Sequence, residues 1–179
     1  MLLNLLFKSF LIFLPAAIAN MVPIFSSRIT YLKKFKQPID AGKLFRSKPI
    51  LGSNKTWRGL FSGLLAGSIL SCLFYWSIPY YANFFDSINQ AFLFGLISSF
   101  GALSGDAFES FIKRQFNKKP GEPWFPFDQI DYTLGMLLFT FFYIELSAIF
   151  WIETIILWGS LSLLTSYIGY FLKIKETPL

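Results

Sequence analysis

Four long apolar blocks divide the chain, and two polar, charged loops separate the first three from one another and from the last. A membrane-crossing helix needs about 20 mostly apolar residues. The first block runs from Leu2 to Phe25, the second from Gly59 to Pro79 and the third from Asn89 to Ile112. The fourth, Tyr132 to Leu172, would make a single helix of about 60 Å at 1.5 Å per residue, roughly twice the hydrocarbon thickness. It therefore predicts two helices joined by a tight reversal near Trp151–Thr154. The expected architecture is an all-α integral membrane protein with five transmembrane helices, and residues 1–179 form one membrane-embedded domain.

Charge orients these spans. Only 15% of the 179 residues are charged, against 54% hydrophobic, and the charges are clustered. Arg28, Lys33, Lys34, Lys36, Lys43, Arg46, Lys48, Lys55 and Arg58 lie between the first two spans. Lys113, Arg114, Lys118 and Lys119 follow the third span, and Lys173 and Lys175 follow the last. Cytoplasmic loops carry the excess of Lys and Arg. The N-terminus is thus expected outside a cell membrane, with the C-terminus and both long loops in the cytoplasm. The first block also has the cation, apolar stretch and Ala17-x-Ala19 pair of a signal peptide, but cleavage there would put the nine-cation loop outside. Gly59, Gly63, Gly67 and Ser71 recur every four residues, as do Gly95 with Ser99 and Ser98 with Ala102 and Asp106. Such stripes let helices approach closely.

The residue types present limit the chemistry. There is no His, which excludes a His base, a His metal site and a Ser-His-Asp triad. One cysteine, Cys72, excludes a disulfide framework. Carboxylates, Lys, Arg, hydroxyls, amides and a hard metal ion remain.

The stretch "GDAFESFIKRQFNKKPGEPWFPFDQID", residues 105–131, carries five acids and four bases between apolar blocks. Asp106, Glu109, Ser110 and Lys113 share one helix face. Asp106 lies seven residues before Lys113, about 10 Å deeper along the helix. An ionisable group at that depth needs a wet cavity, a metal or a partner. Asp128 and Asp131 open the next span three residues apart, where a carboxylate also suits helix capping. Both loops share one side, so three carboxylates can converge in the way that Mg²⁺ is held beside a phosphate substrate. In the first loop "GSNKTWRG", residues 52–59, places Asn54, Lys55, Thr56 and Arg58 at the start of a helix, whose free N–H groups favour anions. A polybasic patch on anionic lipid is the plainer reading of that loop. Together these elements suggest a cytoplasmic polyphosphate and metal site opening to the bilayer. No nucleic-acid partner is expected.

"PAAIAN", "LGSNKTWRG" and the 105–131 stretch resemble the CDP-archaeol synthase family, CTP-dependent membrane cytidylyltransferases related to CDP-diacylglycerol synthases. The resemblance covers nearly the whole chain. It implies Mg²⁺-dependent transfer of CMP from CTP to a phosphorylated membrane lipid, giving a CDP-lipid and pyrophosphate. Asp106, Asp128 and Asp131 would hold Mg²⁺ and, with Lys113, form the catalytic set. Lys55, Arg58, Lys113 and Arg114 would bind the triphosphate and the departing pyrophosphate. Asn54, Thr56, Glu109, Ser110 and Gln129 would line the pocket. Other readings are CDP-diacylglycerol synthesis from phosphatidic acid, a non-enzymatic polybasic membrane protein and a small cation transporter. Glu145, the other acid expected inside a span, reads as structural.

Overall fold

A computed structural model describes residues 2–144 and 147–173. Helix α1 (Leu2–Ser26) leads into a loop that holds a 3-10 turn (Leu32–Lys34) and a small hairpin, β1 (Leu44–Phe45) and β2 (Lys48–Pro49). The strands are antiparallel, with Leu44 opposite Pro49 and Phe45 opposite Lys48. Then come α2 (Trp57–Ser77), the short α3 (Pro79–Ala82), α4 (Ile88–Gln115), α5 (Phe127–Thr140) and α6 (Ala148–Phe171). The five expected blocks are thus the five long helices. Hydroxyls start three of them: Thr56 accepts from the Gly59 N–H at 3.2 Å, Ser87 from Gln90 at 3.4 Å and Ser147 from Phe150 at 3.2 Å. Each satisfies one of the N–H groups that a helix start leaves free.

Among the described residues α1, α2, α4 and α6 are long and apolar enough to cross a membrane. With 14 residues, α5 is not one of these. At 28 residues α4 is about 42 Å long, more than the hydrocarbon layer needs, so its last turns carry Lys113 and Arg114 past the apolar region.

The reversal expected at Trp151–Thr154 lies instead between the end of α5 at Thr140 and the start of α6 at Ala148. Tyr143 and Ile144 donate their N–H groups to the Thr140 carbonyl, at 2.9 and 3.1 Å, and Ser147 then caps α6. Hydropathy pointed to the wrong place because the polar residues at 153–154 face inward. Thr154 donates to the Phe150 carbonyl at 2.7 Å and accepts from Ser9 of α1 at 2.9 Å, and Glu153 is buried. Glu153 is therefore a helix residue and not part of a loop. Glu145 lies outside the described residues.

Both small-residue stripes pack against backbone. A Cβ at Gly63 would stand 2.8 Å from the Ala19 carbonyl of α1, and one at Gly95 would stand 2.5 Å from the Ser71 Cβ of α2. The closest approach joins α4 to α5. A Cβ at Gly105 would meet the Asp131 carbonyl at 2.2 Å, and one at Gly135 would meet the Gly101 carbonyl at 2.2 Å. The core closes around this seam with Phe13 and Ala16 of α1, Phe94 and Ala102 of α4, Met136 and Leu137 of α5, and Phe150 and Trp158 of α6. On α2 the stripe Phe61, Leu65, Ile69, Leu73 and Trp76 is exposed, as a lipid-facing surface requires.

The seam is testable. Gly135→Ala forces α4 and α5 apart and is expected to cost about 1–3 kcal/mol, the usual cost of overpacking. It should lower the melting temperature in detergent by several degrees. Gly159→Ala, whose new methyl would meet the Ile130 Cγ2 at 3.3 Å and the Gln129 carbonyl at 3.9 Å, should shift the melt far less.

Candidate active site

One carboxylate shapes the first loop. Asp40 accepts three backbone N–H bonds, from Gly42 at 2.9 Å, Leu51 at 2.8 Å and Gly52 at 3.1 Å. Partial burial works to raise its pKa, but the Leu51, Gly42 and Gly52 N–H groups outweigh it and hold the carboxyl below its ordinary value. Gly52 turns the chain with φ at +88°, a conformation that a side chain would strain. The Ile39 N–H then donates to the Lys55 carbonyl at 2.9 Å, and Trp57 to the Gln37 carbonyl at 3.1 Å. The hairpin ties the loop to the end of α4: the Lys48 ammonium donates to the Gln115 carbonyl, and the Phe45 and Phe111 rings lie 5.9 Å apart. The loop is thereby held over α4, and the Lys55 Nζ sits 2.5 Å from Asp106 Oδ2.

The α4 face is as its spacing predicts. Asp106 and Glu109 lie one turn apart, and the close α4–α5 seam brings Asp131 against them. One oxygen from each of Asp106, Glu109 and Asp131 lies within 4.8 Å of the others. Asp131 also accepts the Tyr132 N–H at 2.7 Å. Lys113, itself buried, bridges Glu109 at 3.1 Å and Asp128 at 2.6 Å. The other oxygen of Asp128 accepts the Trp124 N–H at 2.9 Å. Four carboxylates and two ammonium groups thus occupy one patch. Three converging carboxylates are the hard-oxygen donor set that suits a divalent cation such as Mg²⁺. Glu109 Oε1 is buried and faces the Lys113 ammonium at 3.1 Å. Beside this patch runs a small, open groove. Pro23, Ile39, Leu60, Leu103 and Ala107 line it with apolar surface, and Asn54, Lys55, Thr56 and Asp106 line it with polar groups.

A profile of the CarS-like CDP-archaeol synthase family matches residues 2–179. The chain belongs to the CDP-archaeol synthase family. Its relatives include the CDP-archaeol synthase of Thermofilum pendens, 34% identical over 96% of this chain and 80% of that protein. Another is that of Thermococcus kodakarensis, 32% identical over 98% of both. A solved structure, described as an intramembrane enzyme for archaeal membrane lipid biosynthesis, superposes with a TM-score of 0.75 at 24% identity and covers 93% of this chain and 94% of its own. The family resemblance is therefore borne out, and with it the assignment to an enzyme family of lipid biosynthesis.

The CDP-archaeol synthase fold brings together Asp106, Glu109, Asp131, Lys55, Lys113 and Asp128. The close trio differs from the expected metal set in one member: Glu109 stands where Asp128 was expected. In the first turn of α5, Asp128 is turned toward Lys113 and the Trp124 N–H. Arg114 is buried, donates through Nε to the Ser110 carbonyl at 3.4 Å and lies beneath the Gly52 turn, with Nη1 unpaired. Asn54 lines the groove. Of three further expected residues, Thr56 borders the groove and Arg58 and Gln129 do not line it. Arg58 points back to the loop, where Nη1 donates to the Leu32 carbonyl at 3.3 Å. The Thr56 hydroxyl is used in capping α2. Gln129 is buried on α5, with its carbonyl beside Gly159 of α6.

Asp40 is the functional residue that the sequence reading missed. Its signal is an Asp two residues before a Gly, the pattern in which an Asp side chain caps its own turn. Asp40→Ala is expected to lower the local stability of the loop by about 1–2 kcal/mol and to speed proteolysis within residues 40–55. Since the Asp40 pKa is lowered on folding, its contribution is present above the ordinary carboxylate range and is lost as pH falls through the lowered value. Protection of the wild-type loop should follow that pH course, and protection in Asp40→Asn should not.

Proposed function

We propose that this chain is a CDP-archaeol synthase. It transfers CMP from CTP to a phosphorylated ether lipid and yields a CDP-lipid and pyrophosphate. The observation that carries the reading is the Asp106–Glu109–Asp131 trio flanked by Lys55 and Lys113, beside a groove lined by both apolar and polar residues. The lipid phosphate oxygen forms a bond to the α-phosphorus of CTP as the bond to the bridging oxygen breaks, and pyrophosphate leaves with that electron pair. The nucleophile is already anionic, so no strong base is needed, in keeping with a chain that has no His.

Asp106, Glu109 and Asp131 would hold Mg²⁺. Bound there, the ion supplies neutralisation of phosphate charge. Lys55, from the first loop, and Arg114, in the last turn of α4, would bind the triphosphate. Asp128 keeps Lys113 in place between the two helices, where its ammonium balances Glu109 and faces the leaving phosphates. Asn54 and Ser110 line the nucleotide side.

Purified protein with CTP, Mg²⁺ and a panel of phosphorylated ether lipid and phosphatidic acid, scored for pyrophosphate and CDP-lipid, tests this. The ether lipid should be the preferred acceptor. Asp106→Asn and Asp131→Asn should each lower turnover by about 100-fold or more while the protein stays folded. Preference for phosphatidic acid would make the chain a CDP-diacylglycerol synthase. No product with either lipid, together with no CTP binding by calorimetry, would end the reading and return the basic loops to a lipid-binding patch.

The same reading takes five crossings of the cell membrane, with the N-terminus outside and both loops cytoplasmic. Although short, α5 runs alongside α4 from the Lys113–Asp128 pair to the Tyr143 hydroxyl, which donates to the Gln90 carbonyl at 2.8 Å. The α4 segment between these two contacts is about 35 Å long, a full hydrocarbon thickness, of which α5 itself covers about 21 Å and the turn residues after it, with the long side chains, cover the rest. In a Cys72→Ser background, Lys36→Cys and Lys118→Cys should label only from the cytoplasmic side and Asp86→Cys only from outside. Labelling of position 36 from outside would invert the arrangement.

A further inference from the structure

The two lysines of the patch are held in different ways. Lys113 is buried and bridges two carboxylates, Glu109 and Asp128. Lys55 is more exposed, with side-chain exposures of 20% for it and 29% for Asp106, and among the described residues its ammonium bonds Asp106 alone. The backbone at Lys55 is fixed, because its carbonyl accepts the Ile39 N–H. Its side chain is not wedged, because Lys55 and Asp106 both border the groove. In this structure the cation at Asp106 is therefore a lysine ammonium on a flexible four-carbon stem.

Asp106 belongs to the trio that suits a divalent cation. A monovalent and a divalent cation on one carboxylate at contact distance repel each other strongly. Lys55 and a metal ion are thus competitors for Asp106. Lys55 and a triphosphate are natural partners, because an ammonium released beside the groove faces the space where phosphates would sit.

We propose that Lys55 is an exchangeable counter-ion. It neutralises Asp106 until a divalent cation takes that carboxylate, and it then turns to the phosphates of the nucleotide. This rests on the reading of the patch as a site for a divalent cation and a nucleoside triphosphate. It adds that Lys55 weakens metal binding when nucleotide is absent and couples the two ligands when both are present. A purely structural Lys55–Asp106 pair makes the opposite prediction. There, loss of Lys55 would loosen Asp106 and leave metal affinity unchanged or lower.

The test is Mn²⁺ binding, read by electron paramagnetic resonance on purified, nucleotide-free protein in detergent. Lys55→Met keeps the stem and removes the charge, and it is expected to bind Mn²⁺ about five- to tenfold more tightly than wild type. Lys55→Arg keeps the charge and should stay within about twofold of wild type. Equal or weaker Mn²⁺ binding by folded Lys55→Met overturns the exchange. A second measurement on wild-type protein covers the case in which Lys55→Met does not fold. Acylation of Lys55 by an amine-reactive reagent, followed by mass spectrometry, should rise several-fold when Mn²⁺ is added and fall again when CTP joins it. Labelling indifferent to Mn²⁺ overturns the proposal as well. Wild type that binds no Mn²⁺, or binding that survives in Asp106→Asn, would remove the metal site itself and the exchange with it. Failure of the exchange alone would leave wild-type Mn²⁺ and CTP binding intact.

Discussion

Backbone contact between α4 and α5 is the constraint on which the rest depends. Helices that carry side chains at their crossing usually lie 8–10 Å apart. At Gly101, Gly105 and Gly135 no side chain intervenes, and backbone meets backbone. Gly105 immediately precedes Asp106, and its contact is the carbonyl of Asp131. The two residues whose carboxylates meet are thus set by one approach that no larger residue permits. Association of helices in lipid gains nothing from expelling water and relies on close packing. The same packing that holds the bundle together also forces carboxylates into proximity, against their mutual repulsion.

That repulsion is met by cations from two directions. Lys113 comes from α4 itself and is shared by Glu109 and Asp128, so it ties the first turn of α5 to the last turns of α4. Lys55 comes from the first loop, about fifty residues earlier. It can reach Asp106 only because Asp40 closes one part of that loop and the hairpin fastens another to Gln115. The loop thus acts as an arm of fixed reach. A Cβ at Gly52 would lie 3.8 Å from the Arg114 Cδ and 3.9 Å from the Pro120 Cγ, so the first loop packs against the end of α4 and the segment that follows it.

Much of this was legible in the sequence. Blocks of apolar residues located the helices, because a lipid-exposed helix must be apolar along its length. The four-residue stripes at Gly59–Ser71 announced close packing, and the depth of Asp106 announced a site. What escaped were features that hydropathy does not register. The reversal before α6 is made by a capping hydroxyl at Ser147 inside a stretch as apolar as its neighbours, and Glu153 and Thr154 imitate a loop because their polar groups face inward. Asp128 and Glu109 exchanged expected places for a similar reason. Spacing places a carboxylate at a helix start but cannot tell which cation it will face. Arg58 was expected at the phosphates, and one of its N–H groups bonds the Leu32 carbonyl.

The groove is lined by residues of two kinds, apolar ones such as Leu60 and Leu103 and polar ones such as Asn54 and Lys55. For the proposed reaction this makes the protein a catalyst at a phase boundary. One reactant arrives by diffusion in a plane and the other by diffusion in a volume, and the products part the same way. The quantity that governs encounter with the first is its mole fraction in the bilayer rather than its amount per litre. Diluting the membrane with inert lipid would then slow turnover at constant total substrate, while diluting the aqueous suspension would not.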